Sequence, residues 1–302
     1  MGQLLAKILA DIAAIQNSRR TNNPTLEAIA TANNEEDKVK TAQQAQREAE
    51  ERLRRGIQPV VIPTPEEVTA AKARMQYQDS LFHFAVAGVA GSGKSSLVNA
   101  IRGLRNSDTG AAPTGVVETT ATIGRYRDSN RRLPFVWYDI PGAGTLNQPG
   151  WQYFNNQGLF VFDCIIALVG DRFTQTDLAI LENCRRFQIP TYIVRSKADF
   201  HVLNLMNDMG YDSDDDDDES RYETMYNLAR ERYISDTQAT VQQNLGDAML
   251  PVQKVYLVSN KVLLSAVKKR TLPKTALDEM ELLKDLLEEA CARRCVAPED
   301  EA

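Results

Sequence analysis

Hydrophobic and polar positions divide the chain into two textures. Over residues 1–80 the pattern is helical or featureless. Leu4, Leu5, Ile8, Leu9, Ile12 and Ile15 recur at helical spacing, with Gln3, Lys7 and Asp11 opposite. A polar break follows at Asn17–Pro24. Asn33–Arg55 is rich in Glu, Lys, Arg, Gln and Ala and has almost no large apolar residue. With no face to bury, it reads as a solvated helix or as a disordered stretch. Pro59–Pro65 is a linker, and Thr64-Pro65-Glu66-Glu67 predicts a helix start. It offers an N-cap, Pro at the first position and acids in the first turn. That helix should run to about Tyr77.

From Leu81 short β-rich runs alternate with helical segments. Strands are predicted at Leu81–Ala87, Ala121–Tyr126, Leu133–Asp139, Cys164–Val169, Pro190–Arg195 and Lys254–Ser259. Helices are predicted at Lys94–Arg102, Thr176–Phe187, Arg221–Asn244 and Thr275–Arg294. Such alternation argues for an α/β domain built on a mainly parallel six-stranded sheet with flanking helices. The expected organisation is a helical, partly disordered extension over 1–80, the α/β domain over 81–295, and a tail over 296–302. No internal repeat is visible.

Composition narrows the class. The chain has 302 residues, 43% hydrophobic and 25% charged, as in ordinary globular proteins. The longest apolar run, near Leu159–Gly170, is broken by Asp163 and falls short of the roughly 18 residues of a membrane span. Four Cys are too few for a disulfide-built secreted module. The first residues lack the pattern of a secretory signal. A reduced, cytoplasmic protein is expected. The net charge of −6 misleads, because Asp212, Asp214–Asp218 and Glu219 place seven acids within eight residues. Setting those aside from the 41 acids leaves 34 against 35 bases. The body is neutral, which argues against nucleic-acid binding. The acidic run, an insertion at about 211–220, lacks the Gly and ligand spacing of a Ca²⁺ loop and reads as solvated.

Chemistry enters at Gly88-Val-Ala-Gly91-Ser92-Gly93-Lys94-Ser95, which fits G-x-x-x-x-G-K-[ST] between a predicted strand and a predicted helix. The glycines let backbone N–H groups wrap a phosphate. Lys94 neutralises β/γ oxygens, and the Ser95 hydroxyl suits Mg²⁺. The following helix, with Ser96 in its first turn, aims its dipole at the phosphates.

Two later motifs choose the base. Ser196-Lys197-Ala198-Asp199 ends a predicted strand and resembles [NT]KxD. The Asp199 carboxylate can accept from guanine N1–H and the exocyclic amine, a pair that adenine does not offer. Lys197 would cover the base with its stem. Ser196 stands where Asn or Thr is usual, which should weaken a side-chain bridge to the phosphate loop. Leu257-Val-Ser259-Asn260, ending the last strand, is placed like the loop that meets the base carbonyl. Asp139-Ile-Pro-Gly142 completes the set: Asp139 can hold Mg²⁺ through water, and the Gly142 N–H can sense a γ-phosphate. An ATP-using P-loop enzyme requires Asp199 to be incidental.

As an ordered set these segments resemble the immunity-related (interferon-inducible) GTPases. Gly110-Ala-Ala-Pro-Thr114-Gly115-Val-Val-Glu118-Thr-Thr120 is similar to that family's switch I. Trp137-Tyr-Asp139-Ile-Pro-Gly142-Ala-Gly144-Thr145 is similar to its switch II. Phe162-Asp163, the Asp171-Arg172-Phe173 turn with Asp177, Tyr192–Asp199 and Leu257–Lys261 extend the likeness across about residues 81–290. The resemblance implies a Ras-like P-loop G domain and GTP hydrolysis to GDP and phosphate. It also implies nucleotide-dependent self-assembly, as a homodimer or larger, and action at intracellular membranes.

One catalytic part is missing. Gly142 is followed by Ala143, not by the Gln that positions water in many GTPases. Hydrolysis should be slow alone or completed by a second protomer. The catalytic candidates are therefore Lys94, Gly142, Glu118 and Thr120. Glu118 reads equally as a solvated loop acid. Thr119, Thr120 and Thr114 compete as the switch I ligand to Mg²⁺, with Thr120 preferred. A GTP-binding switch or membrane-associated scaffold with negligible turnover is the alternative. At the N-terminus Met1-Gly2 approaches the myristoylation pattern, except that Ala6 stands at its Ser/Thr position. Leu4–Ile15 reads either as an ordinary packed helix or as a peripheral membrane contact.

Overall fold

The computed structural model describes residues 61–115, 122–143, 150–170, 172–211 and 219–293. The chain divides into two units, Met1–Ile62 and Pro63–Ala302. The described residues lie almost wholly in the second. The Leu4–Ile15 pattern, Gly2, Glu118, Thr119, Thr120, Gly144, Thr145, Asp171 and Asp212–Asp218 fall outside them.

Along the second unit the elements are α1 (Pro65–Arg74), β1 (Phe82–Ala87), α2 (Lys94–Ile101), β2 (Gly124–Arg127), β3 (Phe135–Asp139) and α3 (Gly150–Asn156). They continue with β4 (Cys164–Val169), α4 (Gln175–Arg186), β5 (Thr191–Arg195), α5 (Ala198–Asp208) and α6 (Glu219–Asp247). Last come β6 (Val255–Leu257), α7 (Asn260–Lys269) and α8 (Glu279–Arg293). The six strands form one sheet in the order β2-β3-β1-β4-β5-β6. All pairs are parallel except β2 with β3 at one edge.

Every residue of β1, β3 and β4 is buried, so both sheet faces are covered. Alternate residues feed two cores. Ala85, Tyr138, Ile165 and Ala167 pack with Tyr153, Ile180, Met206, Tyr233 and Val241 from α3, α4, α5 and α6. Phe82, Phe84, Trp137 and Ile166 pack with Leu97, Leu263, Leu282 and Leu286 from α2, α7 and α8. Register brings the C-terminal ends of five strands to one edge: Val86 pairs with Asp139, Ala87 with Ala167, and Arg195 with both Val169 and Leu257. Helices α3, α5 and α7 were not anticipated from sequence, and α8 begins later than the predicted Thr275.

Helix α1 starts where predicted. Thr64 accepts from the Glu67 N–H at 3.2 Å, and Glu67 accepts from the Thr64 N–H at 2.7 Å. It ends earlier than Tyr77, because Gln76 turns the chain at φ +49°. Ala71 and Met75 are buried in the first core, so this helix is part of the sheet-bearing unit.

A buried polar cluster ties α1 to the sheet. The Tyr138 hydroxyl donates to the Met75 carbonyl at 2.7 Å and lies 3.0 Å from His83 Nδ1. Asp163 accepts from the Tyr77 hydroxyl at 2.9 Å and from the His83 N–H at 2.7 Å. The Tyr77 ring stacks on His83 at 4.2 Å. The acid that interrupts the longest apolar run thus anchors the chain entering β1. Burial lowers the His83 pKa and raises that of Asp163 from 3.8 to about 6.

The folded chain therefore binds a proton at Asp163 that the unfolded chain releases. Its contribution to stability is complete below the unfolded pKa and is lost as pH rises through about 6. Asp163→Asn should flatten the fall in unfolding free energy across that window, measured by urea denaturation at a series of pH values.

Candidate functional site

The strand ends deliver the sequence motifs to one place. After β1 the chain turns through Gly88 at φ +145°, Gly91 at +76° and Gly93 at +99°. Gly93 is the N-cap of α2 and makes no side-chain cap. Such torsions are inexpensive only for glycine. A Cβ on Gly88 would lie 2.2 Å from the Leu168 carbonyl oxygen. The loop sits this close to β4 only because that side chain is absent. Its carbonyl at Val89 accepts from Lys94 Nζ at 2.9 Å and from the Ser92 hydroxyl at 2.9 Å. This contact holds Lys94 folded over the loop.

Asp139 ends β3 and is fully buried, and the Ser95 hydroxyl donates to its Oδ2 at 2.6 Å. Beyond it, Ala143 pairs with the phosphate loop. Its N–H donates to Gly88 O at 3.1 Å, and its carbonyl accepts from the Ala90 N–H at 2.9 Å. Gly142 passes so close that a Cβ there would lie 2.5 Å from Ala90 Cα. The Pro141 carbonyl accepts from the Tyr153 hydroxyl of α3 at 2.8 Å.

From the other side come the base motifs. Lys197 sits at φ +62° and opens α5, with Asp199 in its first turn. Lys197 Nζ donates to Gly91 O at 3.4 Å. The Ser196 hydroxyl donates to Ser92 O at 3.0 Å and is buried. The bridge to the phosphate loop is thus made by serine itself, which corrects the expectation that Ser196 weakens it. Ser259 caps α7, accepting from the Val262 N–H, and Asn260 follows it. Around the point where a Gly93 Cβ would lie, Ser196 Oγ stands at 3.3 Å and Lys197 Cε and Asn260 Nδ2 at 4.0 Å. Gly93, Ser196, Lys197 and Asn260 therefore converge. A cavity of about 250 Å³ opens beside them, lined in part by Gly91, Ser92, Lys197 and His201.

Sequence reasoning missed one support, Asn99, and named another, Asp177, only as part of the family likeness. Asn99, fully buried on α2, clamps Ala112 by accepting from its N–H at 2.6 Å and donating to its carbonyl at 3.0 Å. This fixes the approach to the segment holding Thr114. Asp177, also buried, caps α4 through Thr174. Burial raises its pKa, while the Thr174 hydrogen bonds and nearby Lys94 lower it. Asn99 looks like an ordinary helix position in sequence. Thr114 itself is exposed.

The donor set at Ser95 and Asp139, a hydroxyl and a carboxylate, is the hard oxygen chemistry that Mg²⁺ takes. Among the described residues no helix is long and apolar enough to cross a membrane.

A P-loop opening α2 between β1 and β2, a mostly parallel six-stranded sheet with one antiparallel edge, and a base-side S-K-x-D turn define a Ras-like G domain. The chain belongs to the interferon-inducible GTPase (IIGP) family, whose model matches residues 44–288. Interferon-inducible GTPase 1 of Mus musculus is 35% identical over 133 residues, 44% of this chain and 32% of that protein. Interferon-gamma-inducible GTPase 10 of Mus musculus is 27% identical over 178 residues, 59% of this chain and 39% of that protein. The matched segment of Interferon-inducible GTPase 1 is thus about a third of that relative's length. Toc33 from Arabidopsis thaliana, solved with Mg²⁺ and GMPPNP, superposes at a TM-score of 0.39 with 18% identity, covering 76% of this chain and 92% of that one.

The glycine clearances make a graded prediction. Gly88→Ala and Gly142→Ala, which meet backbone atoms below 3 Å, should each destabilise the fold by roughly 2–4 kcal/mol. Gly91→Ala has nothing within 4 Å and should cost only about 1 kcal/mol from its positive φ. Urea denaturation of the three variants measures the order.

Proposed function

We propose that this protein binds guanine nucleotides and hydrolyses GTP to GDP and phosphate with Mg²⁺, completing its catalytic site by self-association. The observation that carries the reading is the convergence of the phosphate loop with both base motifs at Gly93, Ser196, Lys197 and Asn260. An S-K-x-D turn on a surface would have no reason to reach the P-loop. Here its serine and lysine both bond P-loop carbonyls.

The residues divide the work by chemistry. P-loop amides and Lys94 bind the phosphates and offset the charge that gathers on the β/γ oxygens. Ser95 and Asp139, with a switch I threonine such as Thr120, would hold Mg²⁺, which supplies further neutralisation of the phosphate oxygens when bound. The Gly142 N–H donates to the γ-phosphate. Asp199 accepts from guanine N1–H and the 2-amino group, and the Lys197 stem covers the ring.

The position after Gly142 cannot orient water. Ala143 is 3% exposed, and both its backbone groups are spent on the P-loop. This supports a water-positioning group from outside the described site. Glu118, within the same chain or presented by a second copy, is our candidate. Peripheral membrane contact through Leu4–Ile15 belongs to the same reading and rests on that apolar periodicity.

Phosphate release from GTP with Mg²⁺, followed across protein concentration with Lys94→Ala as the blank, tests the proposal. Turnover per protomer should rise with concentration. Flat, near-zero turnover with tight GTP binding would make the chain a switch instead. In competition binding GDP should displace a fluorescent guanine nucleotide far better than ADP does. Asp199→Asn should reverse the preference toward xanthine, whose 2-oxo group accepts where guanine donates.

A further inference from the structure

We propose that Glu279 is a positioning residue for base selection: it holds the Leu257–Asn260 turn at the place where the turn meets the purine O6. The inference rests on the guanine reading above.

Strand β6 has three residues and lies at the sheet edge, so N–H groups on its outer side have no strand to bond. The chain entering α8 satisfies them. Leu257 N–H donates to Asp278 Oδ2 at 2.8 Å, and Asp278 N–H donates to Leu257 O at 3.2 Å. One residue past the strand, the Ser259 N–H donates to Glu279 Oε1 at 2.7 Å. The other carboxylate oxygen accepts from the Leu277 N–H at 2.6 Å. Glu279 is fully buried, an expensive place for a carboxyl unless it bonds on both oxygens. From α6, Arg230 donates to Ala276 O at 3.0 Å and steadies the segment.

The opposite side of the turn is tied to the first base motif. Val258 N–H donates to Arg195 O at 2.9 Å, and Ala198 N–H donates to Val258 O at 3.1 Å. Ala198 lies between Lys197 and Asp199. The turn is therefore held on one side by the segment that reads the base's N1 and 2-amino edge. Glu279 holds it on the other. What the turn then presents are the first amides of α7, at Asn260 and Lys261, which have no intrahelical carbonyl to bond. The Ser259 oxygens are already engaged by Val262 and Leu263. An amide aimed at O6 is useful only if the turn cannot drift, and a carboxylate bonded to the preceding N–H supplies that constraint.

The test compares base analogues on Glu279→Gln and, as a less buried second variant, Asp278→Ala, which removes the acceptor of the Leu257 N–H. GDP, 6-thio-GDP and IDP are titrated by calorimetry, with thermal unfolding in parallel. Sulfur at position 6 is a poor acceptor, so GDP over 6-thio-GDP reports the turn. IDP lacks the 2-amino group, so GDP over IDP reports Asp199. Each variant should narrow the first preference, Glu279→Gln by about tenfold, and leave the second unchanged. Affinities that fall in proportion for all three ligands, or that stay at wild-type values, overturn the proposal and leave Glu279 a structural cap. If Glu279→Gln does not fold, the same outcomes read on Asp278→Ala decide it. A wild-type chain that prefers ADP to GDP overturns the underlying guanine reading instead.

Discussion

Among the described residues the tightest constraint is backbone against backbone at the C-terminal edge of the sheet. The phosphate loop leaves β1 and must pass between the end of β4 and the segment following β3. At Gly88 the clearance to the Leu168 carbonyl excludes even a methyl group, and at Gly142 the same holds against Ala90. With both glycines present, Val89 and Ala143 pair in parallel as though they extended the sheet by one rung. That rung fixes Lys94, Ser95 and Asp139 relative to one another, because each is one short step from it in the chain. It also fixes the wall that Ser196 and Lys197 reach. The site is built by what two positions lack.

This explains what could be read from the sequence. Strands β1, β3, β4 and β5 were legible because each is a run of apolar residues bounded by turn residues, and the structure buries β1, β3 and β4 on both faces. Helix α6 was legible, apart from its ends, because Ala229, Tyr233, Thr237, Val241 and Leu245 place one buried residue per turn. Helices α5 and α7 were not, because each begins inside a motif read as a loop. The start of α5 also depends on Lys197 at positive φ, which no local pattern announces. The edge strand β2 was placed at Ala121–Tyr126 and runs Gly124–Arg127, since a half-exposed strand lacks a sharp apolar boundary.

The motif residues were legible for a different reason: their chemistry needs fixed residue types at fixed spacing. The residues that hold them were not. Asn99, Tyr153, Asp278 and Glu279 act through contacts that fall at no fixed spacing and use unremarkable side chains. Asp163 is the clearest case. In sequence it merely interrupts an apolar run, but its carboxylate bonds Tyr77 and His83, 86 and 80 residues away. A polar residue in an apolar run is a reason to look for a distant donor, although the run does not name the donor.

The same geometry bears on rate. In a G domain whose residue after the D-x-x-G glycine is exposed and mobile, that residue can swing to orient water. Here it is buried, and its amide and carbonyl are both paired with the P-loop. Releasing Ala143 would break two hydrogen bonds and unseat Gly142, on which the approach to Ala90 depends. Rearrangement on that side would disturb the phosphate grip that makes nucleotide binding useful. A group that enters from the opposite, open side of the phosphates carries no such cost. On the proposed reading, the economical way to speed hydrolysis is therefore to add a residue across the nucleotide and leave the switch II side alone. That is the physical reason to expect an assembled catalytic site.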